Sequence, residues 1–521
     1  MEISVQSISS IFDTILLVFI VSYLTWHFWN QRSAWAPPGP RGLPFIGAIT
    51  SIRKHPEHAM MKWNQQYGPV CMVRFGFKDI LLLGSYEAAH EALVKNMDLA
   101  DRPSNGIAVF KGGKGILMTK FGSYHQEQRR FSLNKLREYG MGRRALEPTI
   151  LLYSNELCER IEKFGSKPFY IDMEIYKAIS STICHIVFGH NVIEENEDFK
   201  EIINTLNKKS KLNVLSGILA FAPFLRFLPV FSTIHAKSVN FQQTLHALVR
   251  QEISEHEKTR DPKEPRDYID SFLNEMDKAK STMQESETTQ TTGGESIEGF
   301  RGQVDPNWKQ YSSFTYEQLV AMCRDLFMAG TDTTSSTTSW IILFLCRYPE
   351  VQRKMQEEAD QVLGSNGEPK MALAEKMPYT RAVIQEINRI RPNVPLSVPH
   401  YSSKDTMVMG YKIPKDTIVL TNIWGIHHDE KLWKNPYDFN PERHLDSNGK
   451  FIKSSKVIQF NIGLRSCLGQ QLANMELFLV TVSIFRQFSF SFNPGDKIDM
   501  EGESVIALRP YSYRVIAEKR M

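Results

Sequence analysis

The hydrophobic pattern of the chain falls into distinct regimes. Residues 8–29 form a nearly continuous apolar run, interrupted by Ser9, Ser10, Asp13, Thr14, Ser22, Thr25 and His27. About 20 residues of helix cross a bilayer, so this run is long enough for an anchor over residues 1–30. Trp26, Phe28 and Trp29 close it where interfacial aromatics belong. Arg32, Arg41, Arg53 and Lys54 follow, which sets the rest of the chain on the cytoplasmic side. No basic residue precedes the run and no small-residue cleavage site follows it, so an uncleaved anchor is favoured over a signal peptide. Pro37, Pro38, Pro40 and Pro44 make residues 31–47 a stiff hinge, since so dense a proline run is neither helix nor central strand.

The remaining body, residues 48–521, reads mainly as helix. Residues 70–75 and 79–83 flank Gly76-Phe77-Lys78 as a β-hairpin, and 407–412 with 417–422 flank Pro414-Lys415-Asp416 as a second. Helical periodicity runs over 86–95, 149–163, 173–188, 238–258, 351–363 and 377–391. A basic helix starts within 121–135, and another opens at Pro265-Arg266-Asp267. A long helix over 315–346 begins with Thr315 and Gln318 spaced as a capping box. Residues 278–313 are rich in Thr, Ser, Glu and Gly without periodicity, and read as a mobile surface loop. The expected fold is mainly α with a small β part (α+β), one large helical domain behind the N-terminal helix.

Composition narrows the function. A net charge of +4, with no basic block interleaved with aromatics, excludes a nucleic-acid binder. The six cysteines are scattered without a CxxC pair, so neither a disulfide framework nor a zinc site is indicated. None of the 14 histidines pairs at H-x-x-x-H spacing within a helix.

One cysteine stands apart. Phe460-Asn461-Ile462-Gly463-Leu464-Arg465-Ser466-Cys467-Leu468-Gly469 sets Cys467 between glycines and beside an arginine, ahead of an apolar helical run over 468–485. A helix N-terminus lowers a thiol pKa. Gly463 and Gly469 leave room for a flat ligand near the backbone. Arg465 offers a cation to an anionic edge, and Phe460 a cover for the sulfur. A buried structural cysteine in an ordinary turn is the alternative. Upstream, Ala329-Gly330-Thr331-Asp332-Thr333-Thr334 is a poor helix interior, where a threonine can bond a carbonyl one turn back and open a dent. Thr333 and Asp332 form a hydroxyl–carboxylate pair suited to moving protons. Glu386 and Arg389 face each other at i and i+3 among Val383, Ile384, Ile387 and Ile390.

Phe460, Gly463, Arg465, Cys467 and Gly469 resemble the haem-binding signature of the cytochrome P-450 monooxygenases. The likeness extends to Ala329–Thr334, to Glu386 and Arg389 and to the proline-rich hinge, over nearly the whole chain, and is nearest to animal microsomal members of family 2. It implies haem b held by Cys467 as the iron ligand, with Arg465, Arg129, His125 and His400 toward the propionates and Phe460, Gly463, Gly469 and Ala329 around the ring. His125 stands where the family has tryptophan, and His444 where it has phenylalanine. Glu386, Arg389 and Arg443 are implied as a brace outside the chemistry. Thr333 is implied to hydrogen-bond dioxygen while Asp332 supplies protons. Residues 394–398 and 504–507 are implied to line a pocket for an apolar substrate such as a fatty acid, another lipid or a foreign compound. Electrons are implied to come from NADPH through a reductase carrying FAD and FMN, with cytochrome b5 as a second partner, at the endoplasmic reticulum membrane. Lys135, Arg137, Arg143, Arg144 and Lys434 are candidate docking cations. Other readings are a haem-thiolate isomerase or dehydratase of lipid hydroperoxides, and a non-catalytic haem- or lipid-binding membrane protein.

Overall fold

A computed structural model describes residues 5–30, 35–43, 46–52, 54–76, 78–103, 113–207, 226–291, 313–364, 367–504 and 507–520. Helices dominate: α1 (Val5–Asn30), α2 (Pro56–Tyr67), α3 (Tyr86–Leu93), α4 (Ser123–Glu138), α5 (Glu147–Glu162), α6 (Asp172–Phe188) and α7 (Glu197–Asn207) come first. There follow α8 (Pro229–Thr259), α9 (Tyr268–Thr291), α10 (Tyr316–Arg347), α11 (Pro349–Leu363), α12 (Pro378–Ile390) and α13 (Gln470–Gln487). The β part is small. Strands β1 (Val70–Phe75), β2 (Lys78–Leu83), β4 (His400–Tyr401) and β7 (Ile418–Thr421) form a sheet in the order β1-β2-β7-β4. A three-stranded sheet joins β3 (Phe169–Tyr170), β11 (Arg514–Lys519) and β8 (Phe488–Phe492), and β5 (Thr406–Val408) pairs β6 (Tyr411–Ile413). A last pair joins β9 (Glu503–Ser504) and β10 (Leu508–Arg509).

Helix α10 is the axis of the helical layer. It packs against α6, α8 and α13, and its apolar residues from Trp340 to Leu345 are buried in one large core. Thr315 caps it, its Oγ1 accepting the Gln318 N–H at 3.2 Å. The reciprocal half of the expected capping box is missing. Gln318 spends its side chain on Gly115 instead, accepting from the backbone N–H at 2.9 Å and donating to the carbonyl at 3.0 Å. That pair fastens residues 115–119 to the helix.

Two other expectations need correction. The second hairpin turns at Met409-Gly410, where both φ angles are positive, and joins β5 to β6. Residues 418–421 leave that hairpin and pair in parallel with β2, Ile80 opposite Ile418. The polar stretch from 278 begins inside α9, which continues to Thr291; residues 292–312 lie outside the described residues. Among the described residues no helix is long and apolar enough to cross a membrane. Side chains of α1 are described over 14–26, and they include Ile15, Leu17 and Phe19 at 62%, 62% and 71% exposure.

Beneath α12 lies a buried ionic knot. The Glu386 Oε1 accepts from Arg389 Nη2 at 2.7 Å, Arg443 Nε at 3.0 Å and the Asn440 N–H at 3.1 Å. Its Oε2 accepts from Arg389 Nε at 2.8 Å and meets His444 Nε2 at 2.9 Å. His444 therefore serves as a further hydrogen-bond partner. Burial alone would raise the Glu386 pKa, but Arg389 and His444 outweigh it and hold the group at about 2. The folded value lies below the unfolded one, so this stability is present above about pH 4.5 and is lost as pH falls toward 2. Glu386→Ala leaves Arg389 buried without its carboxylate and is expected to cost about 3–5 kcal/mol in denaturant unfolding at pH 7. The difference from the parent should shrink on acidification.

Candidate functional site

The loop before α13 folds back on itself so that Cys467 faces inward. The Cys467 N–H donates to the Phe460 carbonyl at 2.9 Å, and a short 3-10 turn over Gly463–Arg465 closes the loop. Gly463 has φ +80°, and a Cβ there would lie 2.0 Å from the Leu93 carbonyl oxygen. Its missing side chain serves close contact with the end of α3, not room for a ligand as expected. Gly469 is the reverse: it borders the cavity, and an added Cβ would meet open space.

The Cys467 sulfur opens into an internal cavity of about 280 Å³. Phe460 and Gly469 share its wall with the sulfur, and α10 contributes Ala329, Gly330, Thr333, Thr334 and Thr337. Sequence distance across this gap exceeds 130 residues, so the fold alone makes the meeting. Gly330 lets α10 approach α6 closely, since a Cβ would lie 2.6 Å from Ile183 Cδ1 and that side chain would have to move. The α10 assignment is unbroken through this stretch. Thr333 Oγ1 donates to the Ala329 carbonyl at 2.8 Å, as the sequence suggested. Ile116, Leu117, Ile183, Ile186, Val187 and Val394 make a large part of the surface apolar.

The thiol pKa runs against expectation. Burial pushes it up, and the Gly469 N–H and the Arg129 charge only partly offset this. A metal ion bound at this sulfur would supply the counter-charge that burial withholds, since a coordinating metal deprotonates a thiol outright.

Cations gather beside the sulfur. Arg129 Nη2 donates to the Ser466 carbonyl at 2.8 Å. Arg465 donates to the carbonyls of Ala100 at 2.8 Å and Thr119 at 2.5 Å. Arg102, which the sequence did not single out, donates to Leu117, Val398 and Pro399 carbonyls at 3.1, 3.2 and 2.8 Å. Among the described residues none of these three forms an ion pair within 4.0 Å. Burial, with Arg465 close by, drives Arg102 well below its ordinary value. Burial holds Arg465 at about 10, Asp101 opposing and Arg129 reinforcing the effect. His125 is held at about 3 by burial and by all three arginines, and its buried Nδ1 has no hydrogen-bond partner among the described residues. Uncompensated charge in a wall of this kind calls for an anion. A flat ligand with carboxylates on one edge and a metal at its centre answers both the arginines and the sulfur, and haem has that shape and charge.

His400 is set back from the cavity. Its Nδ1 meets the Leu99 carbonyl at 3.0 Å and its Nε2 meets Asn461 Nδ2 at 3.3 Å. Asp332 also turns away from the cavity. It accepts from Tyr176 OH at 2.5 Å and pairs with Arg509, whose other nitrogen donates to the Leu206 carbonyl at 2.9 Å. Of the implied pocket residues, Val394, Ser397 and Val398 line the wall. Ser504 instead donates to Glu57 at 2.7 Å, and residues 505–506 lie outside the described residues.

Three polar wall residues escaped sequence reasoning. Asp325 lies one turn before Ala329 on α10, and its Oδ2 accepts the N–H groups of Ile116 and Leu117 at 2.9 and 3.0 Å. Asn393 donates to the Thr333 carbonyl at 3.4 Å. Glu476 on α13 is fully buried with neither oxygen hydrogen-bonded among the described residues; burial pushes it up to about 8, the Thr334 hydroxyl opposing. Helical spacing from Ala329 gives a signal for Asp325; nothing local marks the other two.

The family model described as Cytochrome P450 matches residues 37–302 and 300–517. The chain is 30% identical to Cytochrome P450 2U1 of Mus musculus across 97% of this chain and 95% of that protein. It is 33% identical to Cytochrome P450 2D28 of Mesocricetus auratus across 92% of each. With Cytochrome P450 2J3 of Rattus norvegicus the identity is 32%, over 97% of this chain and 95% of the relative. These matches run through both walls of the cavity, and the chain belongs to the cytochrome P450 family, as a haem-dependent monooxygenase of the family 2 type.

Proposed function

We propose that this chain is a membrane-associated haem-thiolate monooxygenase that oxidises an apolar organic substrate, a fatty acid, another lipid or a foreign compound. The observation that carries the reading is the inward sulfur of Cys467 across an apolar-walled cavity from Ala329 and Thr333. When bound, haem supplies an iron at which dioxygen is activated, with electrons from NADPH through an FAD- and FMN-containing reductase and with cytochrome b5 as a second donor. One oxygen atom enters the substrate and the other leaves as water.

Cys467 is the metal ligand in this reading. Arg102, His125, Arg129 and Arg465 hold the carboxylate edge, and His400 spaces them from behind. Phe460 and Gly469 border the sulfur side, and Gly463 keeps the loop seated on α3. Ala329 and Gly330 shape the opposite wall, and Ile116, Ile183 and Val394 exclude water from the substrate. Thr333 carries the hydroxyl that positions a proton at that wall. Asp332 feeds it by releasing Arg509 and Tyr176, so its contribution depends on exchange of that ion pair. The exposed cation Arg137 lies in the last turn of α4, Arg143 and Arg144 follow the helix, and Gly142 N–H contacts Met475 Sδ at 3.1 Å, close behind the thiolate loop. That face, with Lys135 and Lys434, is the docking surface for an acidic reductase.

We assign residues 1–30 to a single anchor in the endoplasmic reticulum membrane, 31–47 to the hinge and 48–521 to the cytosolic catalytic domain. The exposed apolar side chains of α1 support this assignment. Deleting residues 1–30 is expected to move protein from the alkali-resistant membrane pellet toward the supernatant; an unchanged distribution counts against the anchor.

Cys467→Ala is expected to abolish both haem retention by the purified protein and NADPH-driven oxygenation. Retention of both would refute the proposal. Arg102→Leu removes one cation and leaves the sulfur in place. It is expected to speed haem transfer to an apo-haem acceptor about tenfold or more, the scale on which loss of one charge-assisted contact reads. A rate equal to the parent's would remove Arg102 from the carboxylate edge.

A further inference from the structure

At the start of α2, far from the thiolate in sequence, His55, Glu57 and His58 bring one ligand atom each to within 4.8 Å of one another. We propose that these three side chains bind a divalent zinc ion. Two imidazoles and a carboxylate are a zinc donor set, with bonds of about 2.0–2.2 Å. Small side-chain rotations bring the three atoms to one ion and leave a fourth position for water.

The surroundings support a built site. His55 Nδ1 lies 3.0 Å from Glu57 Oε1, and Glu57 is fully buried. The other oxygen, Oε2, accepts from Ser504 Oγ at 2.7 Å. On the far side of the imidazole, His55 Nε2 is buried without a hydrogen-bond partner among the described residues and lies 3.7 Å from Glu501 Oε2. Metal-binding histidines characteristically direct the second ring nitrogen to a carboxylate, and metal-binding carboxylates are themselves hydrogen-bonded. The carboxylate has its hydrogen bond from Ser504, and Glu501 stands 3.7 Å from His55 Nε2, within ion-pair range though beyond a hydrogen bond. His58 is held as a third ligand by ring contacts, stacked on His55 at 4.9 Å between centroids and tilted against Trp424 at 4.8 Å.

A second trio shows what a filled cluster looks like. His256 Nε2 is bonded to Asp267 at 2.8 Å, its Nδ1 meets the Glu252 carbonyl at 2.7 Å, and Asp270 is paired with Arg266 at 2.7 Å. Its groups are spent on one another. In the His55 trio, zinc takes the place of the hydrogen between His55 Nδ1 and Glu57 Oε1, the imidazole remaining neutral with its N–H on Nε2, toward Glu501. Through Glu501 and Ser504 it fastens the segment after the hinge to β9. Lys54 pairs with Asp499 at 3.4 Å along the same seam.

The test is equilibrium dialysis of the full-length haem-loaded protein against buffered Zn²⁺, with zinc and haem measured per chain. One zinc per chain is expected, lost in the double variant H55A/H58A at unchanged haem content. Glu501→Gln alters an exposed side chain and avoids a folding defect; it is expected to weaken zinc about tenfold, the range of outer-shell substitutions. Zinc binding that is absent in the parent, or equal in parent and double variant, overturns the proposal. If the double variant does not fold, Glu501→Gln decides alone, and parental affinity overturns it.

Discussion

A sulfur and three guanidinium groups share one enclosed space, and the rest of the molecule is arranged to keep them there. Burial holds the Cys467 proton on and drives Arg102, Arg465 and His125 toward their neutral forms. A polypeptide alone gains little from such an arrangement, because each group loses hydration and Asp101 is the one carboxylate that offsets Arg102 and Arg465 among the described residues. A metal at the sulfur and carboxylates at the arginines repair both deficits together. The scaffold meets this demand with backbone: the arginines are aimed by the carbonyls of Ala100, Thr119, Leu117 and Pro399, which fix direction without neutralising charge.

The two walls of the cavity are positioned independently. The thiolate loop is seated on α3 through Gly463 and on the middle of α4 through Arg129. The α10 wall is fixed by Gln318, by Asp325 and by the close approach of Ile183 to Gly330. Glu386 knots α12 to the segment over 435–444, which keeps the long connection before the thiolate loop in one path. His444 shows how a knot absorbs a departure from the family pattern: an imidazole nitrogen becomes one more partner for the carboxylate.

What was legible in the sequence was what is local. Phe460 to Gly469, Ala329 to Thr334 and Glu386 with Arg389 each carry their chemistry within one turn or loop, so residue type and spacing reveal them. Helix positions followed the apolar period because burial of one face decides them. Pairing between distant strands left no local trace: residues 417–422 read as a hairpin arm, yet β7 runs parallel to β2. Arg102, Asn393 and Glu476 were missed for the same reason, since their meaning comes from neighbours distant in sequence, 60 residues away for Asn393 and 296 for Arg102. Ser504 was expected in the pocket and contacts Glu57 instead. Asp332 shows a finer limit, for the motif fixed its position on α10 and not the ion pair that occupies it.

The central claim is that the sulfur of residue 467 binds iron within a cavity edged by arginines. The absorption spectrum of the purified, dithionite-reduced protein under carbon monoxide reads that bond directly. The account predicts the red-shifted Soret band of a thiolate opposite carbon monoxide. A band typical of a histidine-ligated haem in freshly isolated protein, or a colourless preparation from cells well supplied with porphyrin, would contradict it.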